Sequence, residues 1–539
     1  MQKNDRIMLE ITGTSSDGSG VGRYDSMAVF VPLATEGDII EAHIVKVKKS
    51  YAYGKLINII TPSKDRIQSD CSVFSRCGGC VYRHIDYKKE CEIKYRKVYD
   101  NMKRIGGIDI PPKDIISADN TLHYRNKAQF PVDTNGNTGF FAVHSHRIIK
   151  TDNCLLQPVF FSDICSSVTK WINEYNIPVY DEISGKGLLR HIYLRYAEAT
   201  NETMVVAVIN GDRLPKSDEF ISAVKSSCDS VKSIQININK KNTNVILGTS
   251  CKTIYGQDFI TDILCGVKVR LSALSFYQVN RTMAEKLYTK AAEYVKPTDK
   301  IILDLYCGAG TIGLSMANRA KEIIGVEIVP EAVCDAKTNA QNNNITNARF
   351  ICADAAAAAE ELAKEHIRPD AVIMDPPRKG CEDSLLKTVA NKFSPETIVY
   401  VSCDSATLAR DCKILTGLGY ALKEYTPVDM FPRTSHVETV VQLVRKKPDT
   451  YIDITVDMDE LDLTSSEAKA TYDEIKDYIF DKHCVKVSSL YIAQVKQKHG
   501  IIERDCYNNS KKESPKQPQC PPEKVKLIEE ALRYFKMIS

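Results

Sequence analysis

Residues 5 to 60 alternate apolar and polar positions in short runs separated by glycine, as in "IMLEITGTSSDGSGVGRYDSMAVFVP" and "GDIIEAHIVKVKKSYAYGKLINII". Short strands at this spacing predict a small β-barrel. Residues 120 to 270 are again strand-like ("YRNKAQFPVD", "LLRHIYLRY", "TMVVAVIN", "SIQININ"), with helical periodicity around 160 to 175 and 216 to 227. From about residue 280 the pattern becomes strand–helix alternation: "IILDLYCGAGTIGLSMA", "EIIGVEIVPEAVCDAKTNA", "ARFICADAAAAAEELA", "DAVIMDPP", "TIVYVSCD". Repeated βα units predict a doubly wound, mostly parallel sheet. After "LVRKKPDT" the segments turn helix-like, and the last places Val525, Ile528, Leu532 and Phe535 on one face. The expected division is a barrel at 1–62, a β-rich central domain at 63–275, an α/β domain at 276–446, and a helical extension at 447–539 compatible with a winged helix. No internal repeat is present.

Composition narrows the class. A chain of 539 residues is too long for one core and predicts roughly three or four domains. With 43% hydrophobic and 26% charged residues it is ordinary globular protein rather than disordered chain. No apolar run approaches the ~20 residues of a membrane span, and "MQKNDRIMLE" lacks a signal-peptide core, so a cytoplasmic monomer is expected. The net charge of +3 is too small to argue for nucleic acid, which leaves the question to local patches. One is "KVKKSYAYGK", where Lys46, Lys48, Lys49 and Lys55 surround Tyr51 and Tyr53. Aromatic rings stack bases while lysines track phosphates, yet a lysine-blunted edge strand has the same composition. Eighteen cysteines in a long α/β chain without a signal argue against disulfides, and suggest that some are metal ligands or catalytic.

The α/β region carries the chemistry at its strand ends. In "LDLYCGAGTIGL", Gly308 and Gly310 let backbone approach a ligand, and Asp304 sits at the end of the strand. The second strand ends at Glu327, where an acid can accept both ribose hydroxyls. The third ends at Asp354, placed to receive an adenine amino group, and the fourth at Asp375, followed by the extended turn of Pro376 and Pro377. Four polar strand ends in this order are the layout of an S-adenosylmethionine-dependent methyltransferase; a generic nucleotide-binding domain is the blander alternative.

Cys403 follows the next strand, on the rim where parallel sheets collect their active sites, and Glu438 lies about 35 residues on, where a further strand begins. A thiolate and a carboxylate beside a methyl donor suit C5 methylation of uracil. Thiolate addition to C6 makes C5 nucleophilic, and after methylation a base must remove the C5 proton. On "SFYQVN" (Gln278), "DLYCGAGTIGL" (Tyr306), "GVEIV" (Glu327), "DPPRKG" (Asp375), "VSCDSATLARD" (Cys403) and "HVETVVQL" (Glu438), the chain resembles the RNA (uracil-5-)-methyltransferase family over residues 1 to about 445. The resemblance implies that Gln278, Tyr306, Glu327 and Asp375 hold S-adenosylmethionine, and that Cys403 and Glu438 are nucleophile and base. Many members have Ser-Cys-Asn-Pro at the nucleophile; Asp404-Ser405 here departs from that and bears on the shape of the base pocket. The amino-terminal region resembles a TRAM domain, which favours the RNA-binding reading of Lys49 and Tyr51.

"CSVFSRCGGC" places Cys71, Cys77 and Cys80 in one glycine-hinged loop. Zinc and an iron–sulfur cluster both accept four cysteines, and spacing leaves the two open. The resemblance implies a [4Fe–4S] cluster, because the ribosomal-RNA branch of the family carries one, with Cys154 as fourth ligand and Cys91 as its rival. Methylation transfers no electron, so a structural or RNA-positioning role is expected. The implied substrate is 23S ribosomal RNA, its uridine unstacked from a loop; the alternatives are a transfer-RNA uridine C5-methyltransferase and a non-catalytic RNA-binding iron–sulfur protein. Arg125 and Lys127 in "HYRNK", and Arg190 and Arg195 in "LLRHIYLR", are basic strand positions that could grip phosphates or simply charge a sheet surface.

Overall fold

The computed structural model describes residues 1–143, 145–446, 470–483, 485–501 and 519–538. They divide into two compact units, Met1–Lys447 and Pro448–Ser539. At the amino terminus, strands Arg6–Thr14, Gly20–Tyr24, Met27–Val31, Ile39–Val47 and Tyr51–Thr61 close a barrel in the order first, second, third, fifth, fourth. Alternation does this: Ile7, Leu9 and Ile11 point inward while Met8 and Glu10 face water. Closure brings strands very near at Gly22, where a Cβ would stand 2.3 Å from the Glu10 carbonyl oxygen.

The central sheet has five strands, in the order Ser250–Gly256, Val231–Ile238, Glu202–Ile209, Leu189–Ala197, Lys127–Pro131. Helices Phe160–Glu174 and Ser217–Ser227 cover one face, with the Trp171 and Phe220 rings 4.9 Å apart. The other face, with Tyr193, Met204, Val206 and Val208, is continuous with the core beneath the α/β sheet. Burial on both faces explains why Leu189–Ala197 is almost wholly out of water. It also corrects the reading of two arginines as phosphate grips. Arg190 is buried, donating from Nη1 to the carbonyls of Asn239 and Lys241, and Arg195 is buried, donating to those of Ser272 and Ser275.

The α/β sheet has seven strands, in the order Ala348–Cys352, Glu322–Glu327, Ile301–Leu305, Ala371–Met374, Thr397–Ser402, Glu438–Arg445, Tyr420–Val428. The first five are parallel, and Glu438–Arg445 runs antiparallel to both of its neighbours. Strand order reverses beside Ile301–Leu305, so the ligand crevice lies at the carboxyl ends there.

One long helix, Tyr87–Arg104, was not evident from periodicity. Charged residues occupy core-facing positions on it: Lys94 Nζ donates to Glu90 (2.7 Å) and to Asp429 (2.6 Å), all three buried. Its apolar residues Val98 and Met102 join the core under the sheet's other face. In the second unit, helices Tyr472–His483, Ser489–Lys498 and Pro522–Tyr534 share a core of Ile475, Ile479, Ile492, Ile528 and Leu532, with Val525 and Phe535 packed against it. Part of the winged-helix expectation falls on 447–469 and 502–518, outside the described residues; among those described no strand accompanies the helices. No described helix is long and apolar enough to cross a membrane.

Candidate active site

A cavity of about 950 Å³ opens at the carboxyl rim of the α/β sheet. Gln278, Tyr306, Gly308, Glu327, Asp354, Asp375, Cys403 and Glu438 all line it. Glu327, at the tip of its strand, is held by two backbone donors: Gly308 N–H to Oε2 (3.1 Å) and Val329 N–H to Oε1 (2.9 Å). Each oxygen keeps a further lone pair for a hydroxyl. Asp354 caps the helix Ala355–Lys364, Oδ1 accepting from Ala356 and Ala357 N–H. Tyr306 takes φ +65°, a left-handed conformation unusual for a bulky residue, which turns the chain from the strand into the glycine loop. Gly308 has open space where a Cβ would stand, while at Gly310 a Cβ would press the Phe350 ring at 2.9 Å.

Asp304 differs from the expectation. It does not line the cavity; it is buried behind the glycine loop, where Oδ2 accepts from Gly313 N–H at 3.0 Å. It therefore positions the loop rather than touching a ligand. Burial pushes its carboxyl up to about 7.

Cys403 and Glu438 meet because their strands are antiparallel. Ser402, last in its strand, pairs with Thr439, so the start of one strand lies at the end of the other. Burial pushes Glu438 up to about 8, with the Asp375 carboxylate adding and Arg378 opposing. Asp375 is raised to about 7 by burial alone. The half-buried Cys403 thiol is pushed up to about 11 by burial first and then by Glu438, again opposed by Arg378. Asp404 accepts from the N–H groups of Ala406 and Thr407 as cap of the helix Ser405–Gly417, so this departure from the common motif is spent on the helix start.

Several lining residues were missed by sequence reasoning. Arg378 faces both catalytic candidates electrostatically, and its position inside "DPPRKG" was the available signal. Phe431, Thr434 and His436 come from the connection between the last two strands of the chain order, which no local pattern marks. That connection is held by distant groups: Arg433 carbonyl accepts from Val81 and Tyr82 N–H, and Lys97 Nζ donates to Ser435 carbonyl.

Cys71, Cys77, Cys80 and Cys154 line a second cavity, of about 250 Å³. Cys91 does not; it is buried on the helix Tyr87–Arg104 near Tyr87 and Asp429. Burial pushes Cys80 up to about 12 and raises Cys77 and Cys154. Among the described residues no group of three or more His, Cys, Asp or Glu is placed to hold a metal ion. Arg83, Arg125 and Lys127 share the cavity, and Arg83 Nη2 and Arg125 Nε are buried without a protein partner. Lys127 is half-buried there, and burial lowers its ammonium to about 8, with Arg195 and Arg125 adding. Arg125 lines both cavities, as their common wall. On the barrel, Lys49 is exposed and Tyr51 stands edge-on to Tyr53 (5.5 Å) and to Phe30 (5.8 Å).

Comparison with known proteins adds the following. Residues 86–446 match the family described as tRNA (Uracil-5-)-methyltransferase, and residues 2–57 match the TRAM domain. An uncharacterized RNA methyltransferase of Clostridium acetobutylicum is 44% identical over 83% of this chain and 98% of its own length. One from Clostridium tetani is 42% identical over 82% of this chain and 96% of its own. Among solved structures, Pyrococcus abyssi tRNA (uracil-54, C5)-methyltransferase in complex with S-adenosyl-L-homocysteine is similar at TM-score 0.68 and 28% identity, over 81% of this chain and 100% of that one.

Proposed function

This chain belongs to the tRNA (uracil-5-)-methyltransferase family, and from that premise we propose that it methylates C5 of a uridine in 23S ribosomal RNA, with Cys403 as nucleophile and Glu438 as base. The observation that carries the reading is the shared cavity: Cys403 and Glu438 stand on one rim with Gln278, Glu327, Asp354 and Asp375. S-adenosylmethionine, bound there, supplies an electrophilic methyl group and a sulfonium charge that favours ionised neighbours. Cys403 Sγ, as thiolate, bonds to C6, and C5, now nucleophilic, takes the methyl group as the S–CH3 bond breaks and its electron pair stays on the departing S-adenosylhomocysteine. Glu438 then accepts the C5 proton, the electron pair of the C5–H bond restores the double bond, and Sγ leaves as thiolate. Arg378 stabilises both anions, since its charge opposes their raised pKa values.

The ribosomal substrate rests on the resemblance to the barrel-bearing, cluster-bearing branch. Transfer RNA is the second reading, favoured by the Pyrococcus abyssi enzyme, which acts on uracil-54 of tRNA and aligns over 81% of this chain. Mapping 5-methyluridine in both RNAs from a deletion strain decides between them. Loss from 23S RNA alone is expected, and loss from transfer RNA alone overturns that choice.

Two expectations concern the donor pocket. Glu327→Ala removes charge-assisted bonds to the ribose and should weaken S-adenosylmethionine binding roughly ten- to a hundredfold, with RNA affinity unchanged, by calorimetry. The second concerns pH. Asp375 and Glu438 hold protons more tightly in the folded chain, at about 7 and about 8. Their contribution to stability is therefore full below the unfolded carboxylate pKa near ~4 and lost as pH rises through those values. A bound cation favours the ionised forms, so S-adenosylmethionine should bind on the order of tenfold tighter at pH 8 than at pH 6. Neutral S-adenosylhomocysteine should show much less of this dependence, and equal slopes for the two ligands would remove the carboxylates from the donor's neighbourhood.

We propose further that Cys71, Cys77, Cys80 and Cys154 hold a [4Fe–4S] cluster. The four thiols share one cavity of about 250 Å³ with apolar and basic side chains, which supports a group larger than a single ion. The unpartnered Arg83 Nη2 and Arg125 Nε suit donation to an anionic cluster.

A further inference from the structure

A third cavity, of about 420 Å³, lies in the central domain outside both sites described above. Its walls include Phe141, His146, Arg147, Tyr180, Arg190 and His191. Two of these are brought together by a local irregularity. Leu189 pairs with Ile209 and His191 with Val208, so Arg190 is an extra residue, a β-bulge in its strand. Adjacent strand residues normally face opposite ways; the bulge lets Arg190 and His191 line the same cavity.

His191 is 4% exposed, and neither ring nitrogen has a protein partner among the described residues. Arg190 Nε is likewise buried without one, although Nη1 and Nη2 are used by the Asn239 and Lys241 carbonyls and by Glu182. Leaving such groups unpaired is unfavourable, so a ligand that pairs them gains by it. Burial first, and then the Arg190 charge, lowers His191 to about 4, so the ring is neutral and offers one donor and one acceptor.

Charge separates the possible occupants. Arg147 and Arg190 are the cations of the cavity, against three carboxylates, Asp133, Asp181 and Glu182. That balance disfavours a phosphate and suits a flat, uncharged group with mixed donors and acceptors. Phe141 supplies an aromatic wall, edge-on to His191 at 6.4 Å, and Tyr180 stacks on the Arg190 guanidinium at 4.4 Å. Backbone pairing ties the wall of this cavity to that of the catalytic one. Phe141 carbonyl accepts from Gly78 N–H, Cys77 bridges Ala142, and Gly78 lines the catalytic cavity.

We propose that this cavity is a second nucleobase pocket, which takes an unstacked base of the RNA substrate near the target and reads its edge with His191. The site anchors the strand at a distance from the reacting uridine, in the manner of single-stranded recognition by splayed bases. It rests on the chain's being an RNA methyltransferase, but not on which base is methylated.

The test reads binding alone, with no methyl donor present, on the shortest segment of ribosomal or transfer RNA that the full-length wild type retains. Abasic sites are introduced one at a time along it. For the wild type, one position away from the target should weaken binding roughly tenfold, the scale of one lost set of hydrogen bonds and stacking. His191→Phe should weaken the intact RNA by a similar factor and make that same abasic site silent, while His191→Asn, which keeps a donor and an acceptor, should retain most of the affinity. S-adenosylmethionine binding should stay unchanged in both variants. Should His191→Phe fail to fold, thio-substituted bases scanned along the wild-type complex should cross-link to Phe141, Tyr180 or their neighbours from one position. Independent, additive losses from His191→Phe and every abasic site, or cross-links to these residues from no position, would overturn the pocket. Because no methylation is read, failure of the uridine C5 chemistry would appear elsewhere.

Discussion

Glu438→Gln should transfer one methyl group and then remain covalently joined to its RNA. The order of bond making requires this outcome. Cys403 adds to C6 before methyl transfer, and Glu438 is needed only afterwards, to take the C5 proton and release the thiolate. Glutamine keeps the shape of the site but is a far weaker base, so addition and transfer proceed while elimination stalls. The adduct should survive denaturing electrophoresis and carry tritium from methyl-labelled S-adenosylmethionine. Cys403→Ala should show neither methylation nor adduct. A 5-fluorouridine at the target should trap the wild type in the same way, since fluorine does not leave as a proton does. Normal turnover by Glu438→Gln would assign the base to another residue, and methylation by Cys403→Ala would end the covalent mechanism.

Protein purified without oxygen should be brown, with broad absorbance near ~400 nm and about four irons per chain, and Cys77→Ser should remove the colour. Cys154→Ser should do the same and Cys91→Ser should not, because Cys154 lines the cavity of the other three thiols and Cys91 is buried elsewhere. Colourless protein holding stoichiometric zinc would overturn the cluster. Loss of the cluster should also divide the two substrates. Gly78, Gly79 and Val81, in and just beyond the cysteine loop, form part of the catalytic cavity wall. Glu327 ends its strand and Asp354 caps the helix after another, both apart from that loop, so cluster-free variants should keep S-adenosylmethionine affinity, by calorimetry, and lose RNA affinity; the reverse would place the cysteine loop on the donor side of the cavity.

The barrel and the doubly wound sheet were legible in the sequence because both follow from short-range periodicity: alternation in Ile7, Leu9 and Ile11, and strand–turn–helix repeats from Ile301 onward. Acids and a cysteine at successive strand ends pointed to one rim, since parallel strands connected by helices must end on the same side. The helix Tyr87–Arg104 escaped because Glu90 and Lys94 occupy its buried face, and their partner Asp429 is more than three hundred residues distant. Arg190 and Arg195 were read as candidate phosphate grips because basicity is visible locally and burial is not. What turns the two arginines inward is a set of carbonyls from other strands and loops.

The chain alone thus determined the barrel, the doubly wound sheet and the reactive groups at its strand ends. Tertiary structure alone decided that Asp304 lies behind the glycine loop and that a bulge at Arg190 turns His191 into a cavity. The physical reason is range. Strand and helix periodicity is set by neighbours two to four residues apart, whereas burial, desolvation and hydrogen-bond satisfaction depend on whatever the rest of the fold brings within a few ångströms.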